Sequence, residues 1–565
     1  MSGVRIAIDL CDPACQQLRV KLEWTPRVLK QSWLMPVWTP GSYTIRDHAQ
    51  HLHSLQLEQS GRLIPTKRTT PSGWTAVLTD LEPLCLSYVL ESRQLTVRTN
   101  HLDPDFASLC LPAVVMLIEG ERWNRHQLKL ALPSEWKGHV PLPLEGNSYT
   151  AEDFDDLVDA PVHAGPFESQ PFFVCHHRHE LITIGKPPME WPESFQADVE
   201  AVCESACKLM KTPPPAKDCY QLVIQLLDQG YGGLEHNHSA VLQFSWEALT
   251  KKDGYRQLLQ LIGHEYFHQW NVRRLRPSAY VPYRYDQAVI SDGLWFAEGI
   301  TSYYDLSFTL LSGFSNRLTF LKDLGKDISH VLLNPGRKIQ SLSNSSREAW
   351  LRLYKQTPAN SVSQISYYRL GTVIAFCLDV GLRQSGSSLA DVVRDLWRDF
   401  GVIGKGYEPK DLVHAVAAHD TNLAEQLPTW LESTTDPPIQ SSLNALGLQA
   451  VAIHAEHADA GMQIKEQNGR LIINTVSPSG PAEQAGLVPG DELIGAHQWR
   501  LRGLEHWNAL LLGPDQIPIL FARRGRINST NLQKADPIVD RWEIDWISGA
   551  SPFQKELREQ WFEIV

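Results

Sequence analysis

His264-Glu265-Tyr266-Phe267-His268 is the stretch of this chain best equipped for chemistry. On a helix its two histidines stand four apart, one turn up the same face. Two imidazoles so placed can grip one zinc ion, and the glutamate beside them can accept a proton from a water that the metal activates. A catalytic zinc takes three protein ligands and keeps one position open. Glu298 is the best third ligand, thirty residues beyond His268 in the aromatic setting Trp295-Phe-Ala-Glu-Gly299. One further donor aimed at the developing oxyanion would contribute about 3 kcal/mol. A tyrosine hydroxyl suits that task. Ser366-Tyr-Tyr-Arg-Leu-Gly371 offers Tyr367 and Tyr368 at a helix start, although each also reads as a packing residue.

These side chains need elements to hold them. Leu258, Leu261 and Ile262 recur at helical spacing, and Tyr255 through Trp270 contains no proline, so one helix is predicted there. Leu294 to Tyr304 reads as a second amphipathic helix. Upstream, Phe195 to Met210 reads as a helix and Tyr220 to Leu227 as a buried strand. That strand runs into Gly230-Tyr-Gly-Gly-Leu-Glu-His236, whose glycine density predicts a loop that a substrate can approach closely. Gly232 and Gly233 are its substrate-facing candidates, and Glu235 lies on the same segment.

Residues 1–165 show short alternating runs between Pro, Gly and Asn turns, the pattern of an antiparallel β-sandwich. Within it, Met35-Pro-Val-Trp-Thr-Pro-Gly-Ser-Tyr43 is either a structural corner or a loop leaning over a cleft. Residues 166–435 read as a mostly helical catalytic domain. A linker at Pro437-Pro-Ile439 leads to a small β domain over 440–530, and 531–565 form a tail whose Trp542, Trp546, Phe553 and Trp561 pack back onto the body. The expected class is therefore multidomain α+β. A net charge of −12 with no basic run excludes a nonspecific nucleic-acid binder. No signal pattern or apolar run of membrane-spanning length is present, so no membrane association is expected. Nine scattered cysteines without an export signal suggest reduced thiols in a cytoplasm. Cys203 and Cys207 share a helix face and read as core thiols rather than a metal pair.

Together these stretches resemble the glycyl aminopeptidase family, PDZ-bearing gluzincin zinc metallopeptidases. Pro36-Val-Trp-Thr-Pro-Gly-Ser-Tyr43, Asp159-Ala-Pro-Val-His-Ala-Gly165, Tyr231-Gly-Gly-Leu-Glu-His236, the run from His264 to Pro277, and Trp295 to Gly299 follow in that family's order. Residues 469–494 are similar to a PDZ domain. The resemblance implies a thermolysin-like catalytic domain with one zinc per chain on His264, His268 and Glu298, and Glu265 as general base. It further implies that Glu235 holds the free α-amine of a peptide and that the tyrosine three residues before a helix glycine, Tyr368, stabilises the oxyanion. The lysine usual before that glycine is Leu370 here, which leaves Tyr367 open as the donor. The expected activity is aminopeptidase action on peptides, with small first residues, Gly or Ala, preferred. The rival readings are a thermolysin-like endopeptidase and a non-catalytic PDZ adaptor. The poor match of Asp459-Ala-Gly-Met-Gln-Ile464 to a peptide-end loop favours a structural role for the small domain.

Overall fold

The computed structural model describes residues 3–563 except 356, 358 and 359, and the side chain of 361. Strand alternation in the first third builds three sheets. The largest has eight strands, and its central members Val4–Asp9, Gln17–Trp24 and Leu84–Glu91 bury every second residue. Two four-stranded sheets complete this part. The expected antiparallel pairing holds throughout except between Val4–Asp9 and His126–Ala131, which run parallel.

A five-stranded sheet follows, in the order Ser169–Val174, His177–Ile184, Tyr220–Leu227, Ser239–Ser245 and Tyr231–Glu235. Tyr220–Leu227, an almost unbroken apolar run, lies at its centre with parallel neighbours on both sides, as a strand buried on both faces must. The glycine-rich stretch expected as a loop is instead its edge strand, Tyr231–Glu235, antiparallel to Ser239–Ser245. Register with that neighbour provides the backbone partners that a free loop would lack. Helices then dominate. Phe195–Met210, Gly254–Phe267 and Ile300–Leu311 pack on one another. Cys203 and Cys207 are buried in the first of these.

One apolar core runs unbroken from the N-terminal sheets through the helices. The joint is the aromatic loop. Trp38 is fully buried, donates its indole N–H to the Arg284 carbonyl at 2.6 Å, and meets Trp350 edge-to-face at 5.0 Å. Tyr43 packs on Tyr280 and Trp350.

The small domain is narrower than 440–530. Ile439, Leu443, Leu446 and Leu448 belong to the main core, whereas a separate core of Leu471, Ile473, Leu493, Trp507 and Ile519 begins beyond residue 459. Strand Leu448–His454 pairs with Val539–Trp546, so the small domain is inserted between two strands of one ribbon. That ribbon packs on helix Arg317–Leu333, and Trp542 N–H donates to Ser329 Oγ at 2.6 Å. Of the tail aromatics, Trp561 is fully buried, but Phe553 is 60% exposed and Trp546 lies at the surface beneath the Arg558 guanidinium.

Candidate metal centre and active site

Helix Gly254–Phe267 buries Leu258, Leu259, Leu261, Ile262, Tyr266 and Phe267, and this anchoring aims His264 and Glu265 at the edge strand. The helix stops at His268, short of the predicted Trp270. The cause is Asn271, whose side-chain amide donates to the carbonyls of Phe296 and Ala297 at 3.0 and 3.2 Å. Its own carbonyl turns back to His268 Nδ1 at 2.7 Å. A carbonyl only accepts, so Nδ1 carries the proton and Nε2 presents its lone pair. His264 Nδ1 meets Asp305 Oδ2 at 2.8 Å, which fixes the same tautomer.

Glu298 sits on a single π-helical turn, Trp295–Gly299, where an unbroken α-helix was expected. Such turns recur at functional sites. Its Oε2 lies 3.6 Å from His264 Nε2 and 3.4 Å from His268 Nε2. Burial opposes charge on both imidazoles, yet Asp305 and Glu298 hold His264, and Glu298 holds His268, above the usual imidazole range. Burial likewise pushes against ionisation of Glu298, and the two histidines outweigh it. Two nitrogens and one carboxylate oxygen therefore converge on a point built for positive charge, which fits a divalent metal of the zinc type. Among the described residues one further group of this kind exists, Glu235, Glu265 and His268, and it shares His268.

The edge strand passes directly over Glu265. A Cβ on Gly233 would lie 2.2 Å from the Glu265 carboxyl carbon, so only glycine admits that carboxylate. Glu265 is 5% exposed, and burial raises its carboxyl above the usual range. Glu235, at the end of the strand, is buried, and among the described residues its Oε1 has no hydrogen-bond partner. Behind it the aromatic loop closes the space, since a Cβ on Gly41 would fall 2.6 Å from both Glu235 oxygens. That loop is thus both the expected corner and a wall of the cleft.

Gly232, Gly233, Glu235, Glu265, Tyr368 and the three metal-type ligands line one cavity of about 250 Å³. Tyr367 is fully buried and outside it. Both hydroxyls lie 3.1 Å from the Tyr354 hydroxyl. Helix Tyr367–Gln384 starts at Ser366, whose side chain accepts from Arg369 N–H. It crosses the π turn at backbone contact, because a Cβ on Gly299 would lie 2.5 Å from Gly371 Cα. This contact brings Tyr368 to the same cavity as Glu298. Phe296, a candidate for narrowing the substrate pocket, instead packs on Trp295 and Tyr407 away from the cavity, while Tyr231 stands at its rim, 67% exposed.

Several residues escaped the sequence reading. Asp305 lies seven residues after Glu298, two turns along a helical face, a signal that could have revealed it. Asn271, Arg98 and Tyr354 carry no such local signal. Asp159 binds His236 Nδ1 at 3.1 Å, Asn237 N–H at 2.7 Å and Arg273 at 2.6 Å. It thereby ties the end of the edge strand to the turn after His268. Burial pushes against its ionisation, but Arg273 and the His236 donor outweigh that and hold it down at about 2.

Two family models match the chain: the M61 glycyl aminopeptidase over residues 257–374, and the peptidase M61 N-terminal domain over residues 5–166. No curated protein matches. An aminopeptidase N family protein from Idiomarina loihiensis has a similar structure, with a TM-score of 0.92 at 25% identity, covering 99% of this chain and 100% of that one. An M1 zinc metallopeptidase from Deinococcus radiodurans is similar at a TM-score of 0.50 and 13% identity, over 78% of this chain and 95% of that one. A mutant of the latter bound to a Tyr-Ser-Ala substrate gives the same values. These two show a likeness of fold.

Proposed function

From the premise that this chain belongs to the M61 glycyl aminopeptidase family and is a metallopeptidase, we propose that it removes single residues from peptides with a free amino terminus. We assign one zinc ion per chain to His264, His268 and Glu298, the donor set whose tautomers are fixed by Asn271 and Asp305. When bound there, zinc supplies Lewis acidity and lowers the pKa of water toward about 7. Glu265 takes a proton at its carboxylate and hands it to the departing amine. Its burial beneath Gly233, which brings its basicity nearer neutrality, supports that role. Tyr368 donates to the oxygen of the scissile carbonyl, a role supported by its position in the cavity while Tyr367 lies outside.

The observation that carries the exopeptidase reading is Glu235. A buried carboxylate oxygen without a donor is costly unless a ligand supplies one. A substrate ammonium does so, and pairing it there sets the first peptide bond over the metal ligands. Gly41 lies against both Glu235 oxygens, and that crowding past the amine supports an exopeptidase over an endopeptidase. The test compares free and N-acetylated peptides. Free peptides should lose one residue at a time and acetylated ones stay intact. Glu235→Ala should lower kcat/KM on free peptides tens- to hundreds-fold, the size of a charge-assisted hydrogen bond of about 1.5–3 kcal/mol. Internal cutting of acetylated peptides, indifferent to Glu235→Ala, would install the endopeptidase reading.

We assign a preference for Gly or Ala as the first residue, which the small cavity supports. We further read residues 459–533 as a PDZ-like domain, on the strength of its separate core, its antiparallel sheet and the helix Leu504–Leu511. A groove of about 1490 Å³ separates it from helix Arg317–Leu333 and the ribbon, and none of its residues lines the catalytic cavity. Its proposed role is therefore structural rather than chemical. A cytoplasmic setting suits the nine free thiols. Among the described residues no helix is long and apolar enough to cross a membrane.

A further inference from the structure

Loops of the N-terminal part place Arg98 in the active-site cavity and Arg46 just beyond the loop that walls off Glu235. Arg98 lines the cavity that holds Glu235, Glu265 and the three metal-type ligands. Its guanidinium donates to the Gly233 carbonyl at 2.9 Å, in the edge strand that passes over Glu265. Arg46 follows the loop that walls off Glu235 and donates only to Ser42 Oγ, at 3.0 and 3.2 Å. Among the described residues neither arginine has a carboxylate within ion-pair distance, although the chain carries 64 acidic side chains against 52 basic ones. Burial and then repulsion from Arg98 hold Arg46 below its usual range.

We propose that Arg98 forms a subsite for a carboxylate on the leaving side of the substrate. The cavity then has two ends. Glu235 faces the ammonium, and Arg98 faces an anion. Gly233 and Glu235 are two residues apart on one strand, about 7 Å, which is the span of an extended dipeptide. The favoured substrates are accordingly short zwitterionic peptides whose terminal carboxylate reaches Arg98. An acidic side chain in the second position presents the same chemistry. Guanidinium and carboxylate match in geometry, so the contact is worth more than charge alone. The subsite rests on the aminopeptidase reading for its orientation.

The test uses the full, zinc-loaded chain and four probes: Ala-Ala, Ala-Ala-amide, Ala-Asp-amide and Ala-Asn-amide. Ala-Ala should exceed its amide in kcat/KM by about tenfold or more. That ratio should fall to near one in Arg98→Gln and be partly restored in Arg98→Lys, with thermal unfolding measured on each variant. A higher rate for Ala-Asp-amide than for Ala-Asn-amide marks the side chain as an alternative source of the carboxylate. Calorimetric affinities of Ala-Ala and its amide for the Glu265→Gln chain, and for Glu265→Gln with Arg98→Gln, give the same ratio without turnover. A ratio near one in the unmodified chain, or one that survives Arg98→Gln in a folded protein, overturns the subsite. If no dipeptide is cut while the affinity ratio holds and depends on Arg98, the aminopeptidase reading fails and the carboxylate subsite stands.

Discussion

In the proposed mechanism Glu265 moves the proton and does not hold the metal. Glu265 lies beside both histidines, but the metal-type cluster is complete without it, since His264, His268 and Glu298 converge on their own. Glu265→Gln should keep about one zinc per chain, by elemental analysis, and lose most turnover. Loss of metal from a folded variant would make Glu265 a ligand. Tyr368→Phe should lower kcat roughly a hundredfold with little change in KM, whereas Tyr367→Phe should change kcat little. A large loss in Tyr367→Phe alone would reverse the two. At this scale the convergence of His264, His268 and Glu298 was legible in the sequence, because i, i+4 histidines on an amphipathic stretch allow few geometries. It was silent on Asn271, Asp159 and Arg98. Their partners lie in other elements, and nothing in their neighbours' spacing announces a long-range hydrogen bond.

Elements position the site through a few short contacts. Asp159 joins the edge strand, by way of His236 and Asn237, to the turn after His268, by way of Arg273. Its carboxyl sits at about 2 in the folded chain, against about 3.9 when unfolded. A depressed carboxyl contributes stability that is complete above about pH 4 and is lost as pH falls toward 2. Asp159→Asn should remove that part of the acid limb in urea unfolding. It should also cost about 3–5 kcal/mol at neutral pH, because Arg273, 2% exposed, would stay buried without its anion. An unchanged unfolding curve at both pH values would rule the clamp out. The helices around this clamp were legible from apolar periodicity. The edge strand was not, because glycine offers no alternating pattern and its pairing with Ser239–Ser245 is a tertiary fact. The π turn escaped for a related reason: one extra residue in a helix leaves periodicity almost intact over so short a stretch.

At the scale of the whole molecule, the small domain is an insertion between paired strands. His454 and Val539 are register partners in the ribbon. Replacing 455–538 with an Asn-Gly turn should leave the body folded, with dipeptide turnover retained, because a two-residue hairpin closes such a pair. Loss of turnover in that folded protein would give the small domain a share in the chemistry. The boundary misread at residue 440 has a plain cause: helix Ile439–Ala445 and strand Leu448–His454 follow a proline pair, yet they pack on the main core. Beyond the ribbon, helix Pro552–Glu563 buries Trp561, whose indole donates to the Tyr303 hydroxyl at 2.8 Å. Tyr303 in turn donates to Asp379 at 2.8 Å and shares its helix with Asp305, the partner of His264. Trp561 is thus a keystone laid across 258 residues of sequence: one indole N–H links helix Pro552–Glu563 to the helix that presents Asp305 to His264.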